Sequence, residues 1–301
     1  MTAVIILINS YAFDTLMIID PLEQVSGLYF ELSNPDRLSI LHALSDAPGR
    51  LSELTKNIGT THQQCLRHLR RLTEVRLVEK NQDGFYKLTS YGELVLQLTP
   101  SLVFVSKNSS YFASHTLSHI PGEFVSRIGE LSESVELSNV MEALSEIESI
   151  VKASEDYLHV ILNKRTHSIR PYIAEAIRRG VQVKSISITS YTPTHDVKRE
   201  INQKDELDII EAESEGTALV ADQTDFPVYL YLSEKTTFLA FPLHDGSFDY
   251  TGFHSSDPKA VKFCSDLFDQ YWVRTSVIPA AELVDRHIKY LEHFGLHPKI
   301  G

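Results

Sequence analysis

A chain of 301 residues is longer than a single hydrophobic core usually grows, so two domains are expected. Two cysteines exclude a disulfide framework, and a net charge of −12 excludes a uniformly basic nucleic-acid coat. The charge is uneven: residues 1–100 carry 9 Lys+Arg and 11 Asp+Glu, the remainder 19 and 29, and Gln63 to Lys87 alone holds six basic and three acidic residues. Phosphate binding needs only such a local patch.

The first apolar run, Ala3 to Ile8, follows no Lys or Arg, meets no obvious small-residue cleavage site and is far shorter than the roughly 20 residues of a membrane span. Residues 1–20 are therefore read as an extension, without export or membrane anchoring, and Met17 stands as an alternative start. Pro21 to Leu32 has helical spacing, with Leu22, Val25, Leu28, Tyr29 and Leu32 on one face. Asn34 and Pro35 cap and open a second helix that turns Leu38, Leu41 and Leu44 inward. LSELTKNIG places Leu51, Leu54 and Ile58 on one face and stops at Gly59. Thr61 and Gln64 then form a capping box that starts a helix at Thr61. Its stripe of Cys65, Leu69 and Leu72 is apolar, while His62, Gln63, Arg67, Arg70 and Arg71 project elsewhere. LVEK and FYKL flank Asn81 to Gly84, where Asp83 and Gly84 both tolerate positive φ and signal a hairpin.

Helix, turn, helix and hairpin is the order of a winged helix-turn-helix. The stretches ELSNPDRLSILHAL, LSELTKNIG, RHLRRLTEVRLVEK and YKLT resemble the ArsR-type winged helix of bacteria and archaea, over about Glu31 to Leu98. Two departures stand out. Arg76 occupies the place before the wing where that family usually has a small residue or glycine, and LSELTKNIG lacks the paired cysteines of the metal-sensing members. Thiolate metal sensing is thus not expected.

The resemblance implies a DNA-binding transcriptional regulator. His62, Gln63, Gln64 and Arg67, in the first two helical turns, are expected to face the major groove, where Gln pairs with adenine and Arg with guanine. Gln64 has a competing duty in its cap, and Leu66 offers packing or a methyl contact. Arg70, Arg71, Lys80 and Lys87 are assigned to phosphates, Gln82 joins Lys80 and Lys87 on the wing, and His68 either contacts DNA or packs. Two-fold pairing of half-sites implies a homodimer. In related regulators the helix at Pro21 to Leu32 often joins the dimer interface; packing on its own domain accounts for its apolar face equally well.

Past the wing, Ser90-x-x-Glu93 reads as a capping box opening a helix through Leu94, Leu98 and Leu102, blurred by Thr99-Pro100 and broken at Pro121-Gly122. The expected divisions are a DNA-binding domain over 21–98, a helical connector over 99–123 and an α/β domain over 124–301. Within the last, Glu123 to Val151 is helical by spacing. Tyr157 to Leu162, Ser168 to Arg179 and VQVKSISIT form a parallel strand, helix, strand unit, with Gly180 ending the helix. Strands are expected at 207–211, 217–221, 228–232 and 237–241, then helices from Asp257 to Tyr271 and from Pro279 to Phe294.

RIGELSES, RPYIAEAIRRGVQVKSISI, the run from VYLYLSEK to HSSDP, and CSDLFDQYWVRT are similar to the regulatory domain of the archaeal methanogenesis-regulator family of winged-helix proteins. The layout is also similar to half of a phospholipase-D-like fold. That fold's His-x-Lys signature, followed four residues later by Asp, is missing: HDVK at His195 has the wrong spacing, and HSIR, HDGS and HSSD lack the lysine. The expected fold is a winged helix-turn-helix of α+β class joined by helices to an α/β domain, phospholipase-D-like without catalytic residues.

Thirteen histidines invite a metal, and His244, Asp245, Asp249 and His254 stand close in sequence, but a solvated loop explains them as well. Neither metal nor cofactor is expected. Ligands of α/β sheets collect beyond the carboxyl ends of strands, which singles out Lys164, Arg165 and His167 after one strand and Thr189 and Tyr191 after the next as effector candidates, against the plainer reading of charged surface loops. The expectation is a non-enzymatic cytoplasmic regulator whose partners are double-stranded DNA, a second copy and a small-molecule effector. A phosphodiesterase with an appended winged helix and a protein-interaction module remain as alternatives.

Overall fold

Side-chain caps set the start of the first two helices in the computed structural model, which describes residues 20–162, 167–187, 202–223, 227–293 and 295–296. Asp20 accepts the Leu22 N–H at 3.0 Å ahead of α1 (Pro21–Leu32), and Asn34 accepts that of Arg37 at 3.0 Å ahead of α2 (Pro35–Asp46). Both helices place proline first, where its missing N–H costs nothing. After β1 (Gly49–Arg50), helix α3 (Leu51–Ile58) ends at left-handed Gly59, and α4 (His62–Glu74) follows Thr61. Strands β2 (Val78–Lys80) and β3 (Phe85–Leu88) are the wing, in an antiparallel sheet of order β1-β3-β2. Ile40, Leu41, Leu54, Cys65, Leu69, Leu72 and Tyr86 fill the core between helices and wing.

Two local expectations shift. Of Asp83 and Gly84 only Gly84 takes positive φ, because the four-residue loop closes by a Gly84 N–H to Asn81 carbonyl bond of 3.2 Å. Helix α5 (Ser90–Lys107) is capped by Thr89, not Ser90: the Thr89 hydroxyl accepts the Gly92 N–H at 3.0 Å and donates to the Arg76 carbonyl at 2.6 Å. An added Cβ on Gly92 would lie 2.1 Å from the Leu77 carbonyl oxygen, so the first turn of α5 approaches the wing closely only as glycine. The helix runs through Pro100 without ending there.

The chain divides between Leu98 and Thr99 into two units. In the second, α6 (Ser109–Phe112), α7 (Gly122–Ser126) and a 3-10 turn over Ile128–Leu131 precede β4 (Val135–Leu137), α8 (Val140–Ala153) and β5 (Tyr157–Leu162). A 3-10 turn at His167–Ile169 leads to α9 (Arg170–Arg178), β6 (Gln182–Ser187), α10 (Gln203–Glu215) and β7 (Ala218–Asp222). Then come β8 (Tyr229–Ser233), β9 (Thr237–Ala240), β10 (Gly252–Ser255), α11 (Pro258–Trp272), β11 (Ser276–Val277) and α12 (Ala280–His293). The eight strands order as β11-β7-β6-β5-β8-β9-β10-β4, parallel only among β5, β6 and β7, with α9 crossing between the first two. Alternate residues of these strands enter two cores. Ile161, Ile186, Leu230 and Leu239 face Phe263, Leu267 and Phe268 of α11, while Leu158, Val160, Tyr229 and Phe238 face Ile147 and Val151 of α8.

Three expectations change in this unit. Residues 207–211 belong to α10, not to a strand: Asn202 caps the helix, Gly216 ends it at φ +76, and Ile209, Ile210 and Ala212 are its buried side. Within Glu123 to Val151, residues 135–137 pair with β10 as an edge strand, so the helical reading holds over Val140–Ala153 and otherwise only in short turns. Residues 99–123 supply Phe104, Tyr111 and Ile120 to the core of the second unit.

Candidate nucleic-acid interface

Helix α4 owes its start to the reciprocal Thr61 and Gln64 cap. The Thr61 hydroxyl accepts the Gln64 N–H at 3.3 Å, and Gln64 Oε1 accepts the Thr61 N–H at 3.4 Å and the Thr60 hydroxyl at 3.0 Å. Those bonds fix the turn that carries His62 and Gln63. Cys65, Leu69 and Leu72 are fully buried, which rolls the helix so that His62, Gln63, Arg67 and Arg70 are exposed. Among the described residues neither Arg67 nor Arg70 has an ion-pair partner, so both guanidinium groups are available to an anion. Gln64 is exposed too, although its carbonyl oxygen is committed to the cap.

Of the remaining candidates on α4, His68 takes the packing alternative, and Arg71, though partly exposed, is engaged within the first unit. His68 is 5% exposed; its Nε2 lies 3.5 Å from Asp36 of α2 and its Nδ1 is buried without a hydrogen-bond partner. Burial pushes its pKa below the ordinary histidine value, against the attraction of Asp36. It is a packed residue. Arg71, assigned to phosphate, instead grips Glu31 of α1 with both Nε, at 3.1 Å, and Nη2. Burial of His68 follows from the spacing, three residues after Cys65 and four before Leu72, whereas the Arg71 contact does not, because Glu31 comes from another helix.

On the wing, Lys80, Gln82 and Lys87 are all exposed. Lys80 Nζ lies over the Tyr86 ring at 5.2 Å, and Lys87 pairs with Glu79 across the hairpin at 2.8 Å, an exposed contact that a phosphate can replace. Arg50 carries no signal in the sequence pattern. Its guanidinium sits 4.6 Å from the Phe85 ring centre, which adds an exposed cation where the wing begins.

Of the effector candidates, Lys164, Arg165, Thr189 and Tyr191 lie outside the described residues, as does the side chain of His167. The four residues weighed for a metal part company. His244 faces the Ala113 carbonyl at 3.1 Å, Asp245 accepts from Ser247, Asp249 accepts from Thr251, and His254 meets Thr236 at 2.9 Å. Among the described residues no group of three or more His, Cys, Asp or Glu is placed to hold a metal ion. A Ser114, His115, Asp249 sequence of contacts has the outline of a nucleophile and base, with Ser114 Oγ 3.0 Å from His115 Nδ1 and Nε2 3.2 Å from Asp249. The same Nδ1 lies 2.8 Å from the Tyr111 carbonyl, which only accepts, so this nitrogen carries the proton and is no base for the serine.

Residues 26–105, which span the winged helix and most of α5, match the family model described as the HVO_A0261 N-terminal domain. A search of curated protein sequences finds no match. Among solved structures the chain is similar to TrmBL2, an archaeal chromatin protein, at 13% identity and a TM-score of 0.39, over 86% of this chain and 100% of that one. NucT from Helicobacter pylori is similar at 12% identity and a TM-score of 0.36, over 48% of this chain and 98% of its own. Nuc from Salmonella typhimurium, a phospholipase D family member, is similar at 11% identity and a TM-score of 0.33, over 45% and 90%. No helix among the described residues is long and apolar enough to cross a membrane.

Proposed function

We propose that the chain is a sequence-specific DNA-binding transcriptional regulator that acts as a homodimer, with α4 as the reading helix, β2 and β3 as a phosphate-contacting wing, and the α/β unit as a non-catalytic regulatory part. One observation carries the reading: a capped helix presents His62, Gln63, Arg67 and Arg70 together on one exposed face, with the two arginines unpaired among the described residues. Such a face matches the donor and acceptor pattern of a major groove and the charge of the phosphates beside it. Self-association is supported by α1, whose Leu22 and Tyr29 are 74% and 55% exposed, and by the exposed Leu94 and Leu98 of α5. An effector, in this reading, binds beyond the carboxyl ends of β5, β6 and β7.

The test is a mobility shift on duplexes from the chain's own promoter region, repeated with and without cell metabolites. Arg67→Ala with Arg70→Ala is expected to weaken binding and to flatten the dependence of log affinity on log salt by about 0.9 for each phosphate no longer neutralised. Unchanged affinity and slope would remove α4 from the interface.

A further inference from the structure

Glu31 is an acidic residue at the last turn of α1, the end of a helix that disfavours negative charge, and it is 4% exposed. Two arginines hold it there. Arg37 of α2 places Nε 3.2 Å from its carboxylate, and Arg71 of α4 binds both carboxylate oxygens. Arg37 is itself 7% exposed and donates to the Phe30 and Glu31 carbonyls at 2.7 Å each, so the carbonyl end of α1 already accommodates its charge. The carboxylate meets Arg37 through one nitrogen and Arg71 through two, so its closer engagement is with Arg71. The Arg71 side chain is 43% exposed and lies one turn along α4 from Arg67, on the same flank as the cationic face.

We propose that Glu31 is an internal stand-in for phosphate: it withholds Arg71 from DNA and thereby sets how many cations of α4 the backbone of a duplex can engage. This rests on the DNA-binding reading above and deepens it. With Arg71 committed, α4 offers phosphate only Arg67 and Arg70, and nonspecific affinity is held down relative to base reading. Glu31 also pins the C-terminal half of α4 to α1, so it is a positioning residue, yet a purely structural role would not alter the number of counterions released.

The experiment is fluorescence anisotropy of the full chain with one fixed duplex over a range of salt concentrations. Arg71→Ala is expected to leave the slope of log affinity against log salt unchanged, whereas Arg70→Ala lowers it by about 0.9. Glu31→Gln, which keeps the shape and removes the charge, is expected to steepen the slope by about 0.9, and Glu31→Gln with Arg71→Ala returns it to the starting value. A slope that falls in Arg71→Ala as it does in Arg70→Ala overturns the proposal, as does a folded Glu31→Gln protein with an unaltered slope. Should Glu31→Gln not fold, the Arg71→Ala comparison decides alone. Absence of duplex binding by the unaltered chain would instead refute the DNA-binding reading and this inference with it.

Discussion

At the scale of single residues, Arg76 has φ of +63 in the turn that ends α4. The Leu77 N–H reaches back to the Leu72 carbonyl at 2.9 Å and the Arg76 N–H to Thr73 at 3.0 Å, the paired bonds of a Schellman motif. Its left-handed position is normally glycine, and a residue bearing Cβ costs about 1 to 2 kcal/mol there. The resemblance to ArsR-type winged helices already marked Arg76 as out of place, and the backbone supplies the reason. Arg76→Gly is expected to raise the stability of the first unit by about 1 kcal/mol, read as a higher urea midpoint at constant slope. Arg76→Ala removes the same charge but retains Cβ, so it should gain nothing. A midpoint shared by the two variants would show that charge, not backbone strain, is what matters at this turn.

Elements were legible where the signal was local. The cap at Thr61, the stripe of Cys65, Leu69 and Leu72, the stop at Gly59 and the hairpin around Gly84 all act within a few residues, and the winged helix follows from them. Short apolar runs were not. Residues 207–211 are a short, largely apolar run that passes for a strand in isolation, whereas over the longer stretch bounded by Asn202 and Gly216 the buried positions follow a helical period. The candidate interface was half legible for the same reason: exposure of Arg67 and Arg70 follows from spacing, whereas the Arg71 to Glu31 contact joins residues 40 apart in sequence. The cap ties element to interface. Thr61→Ala should cost about 1 kcal/mol of stability and should also weaken duplex binding, since His62 and Gln63 ride on the turn that frays. Thr61→Ser, which keeps the accepting oxygen, should retain both properties; equal losses in the two variants would deny the cap its role.

Across the whole molecule, each unit holds a histidine in surroundings that resist protonation: buried His68 against α2, and half-buried His159 on β5. His159 stacks on Phe268 with ring centres 4.4 Å apart, and its Nδ1 is buried without a hydrogen-bond partner. Burial first, and then the charge of Lys184, brings its pKa from 6.5 down to about 4. A histidine whose pKa is lower in the folded than in the unfolded chain binds its proton more readily when unfolded. Its contribution to stability is therefore complete above pH 6.5 and drains away as the pH falls toward about 4. His68 shifts in the same direction, so both units should weaken within the histidine range, before ordinary carboxylates titrate. Glu206 extends the decline further into acid: burial opposes its charge, but Arg170 and His287 outweigh burial and hold its pKa well below the usual carboxylate range. Thermal melting between pH 7.5 and pH 4 should thus show a midpoint that begins to fall at about pH 6.5. His159→Phe preserves the stack on Phe268 and cannot take a proton, so in that variant the second unit should keep its midpoint down to the carboxylate range. A variant whose midpoint follows the unaltered protein over the whole series would place the acid sensitivity of the second unit outside β5.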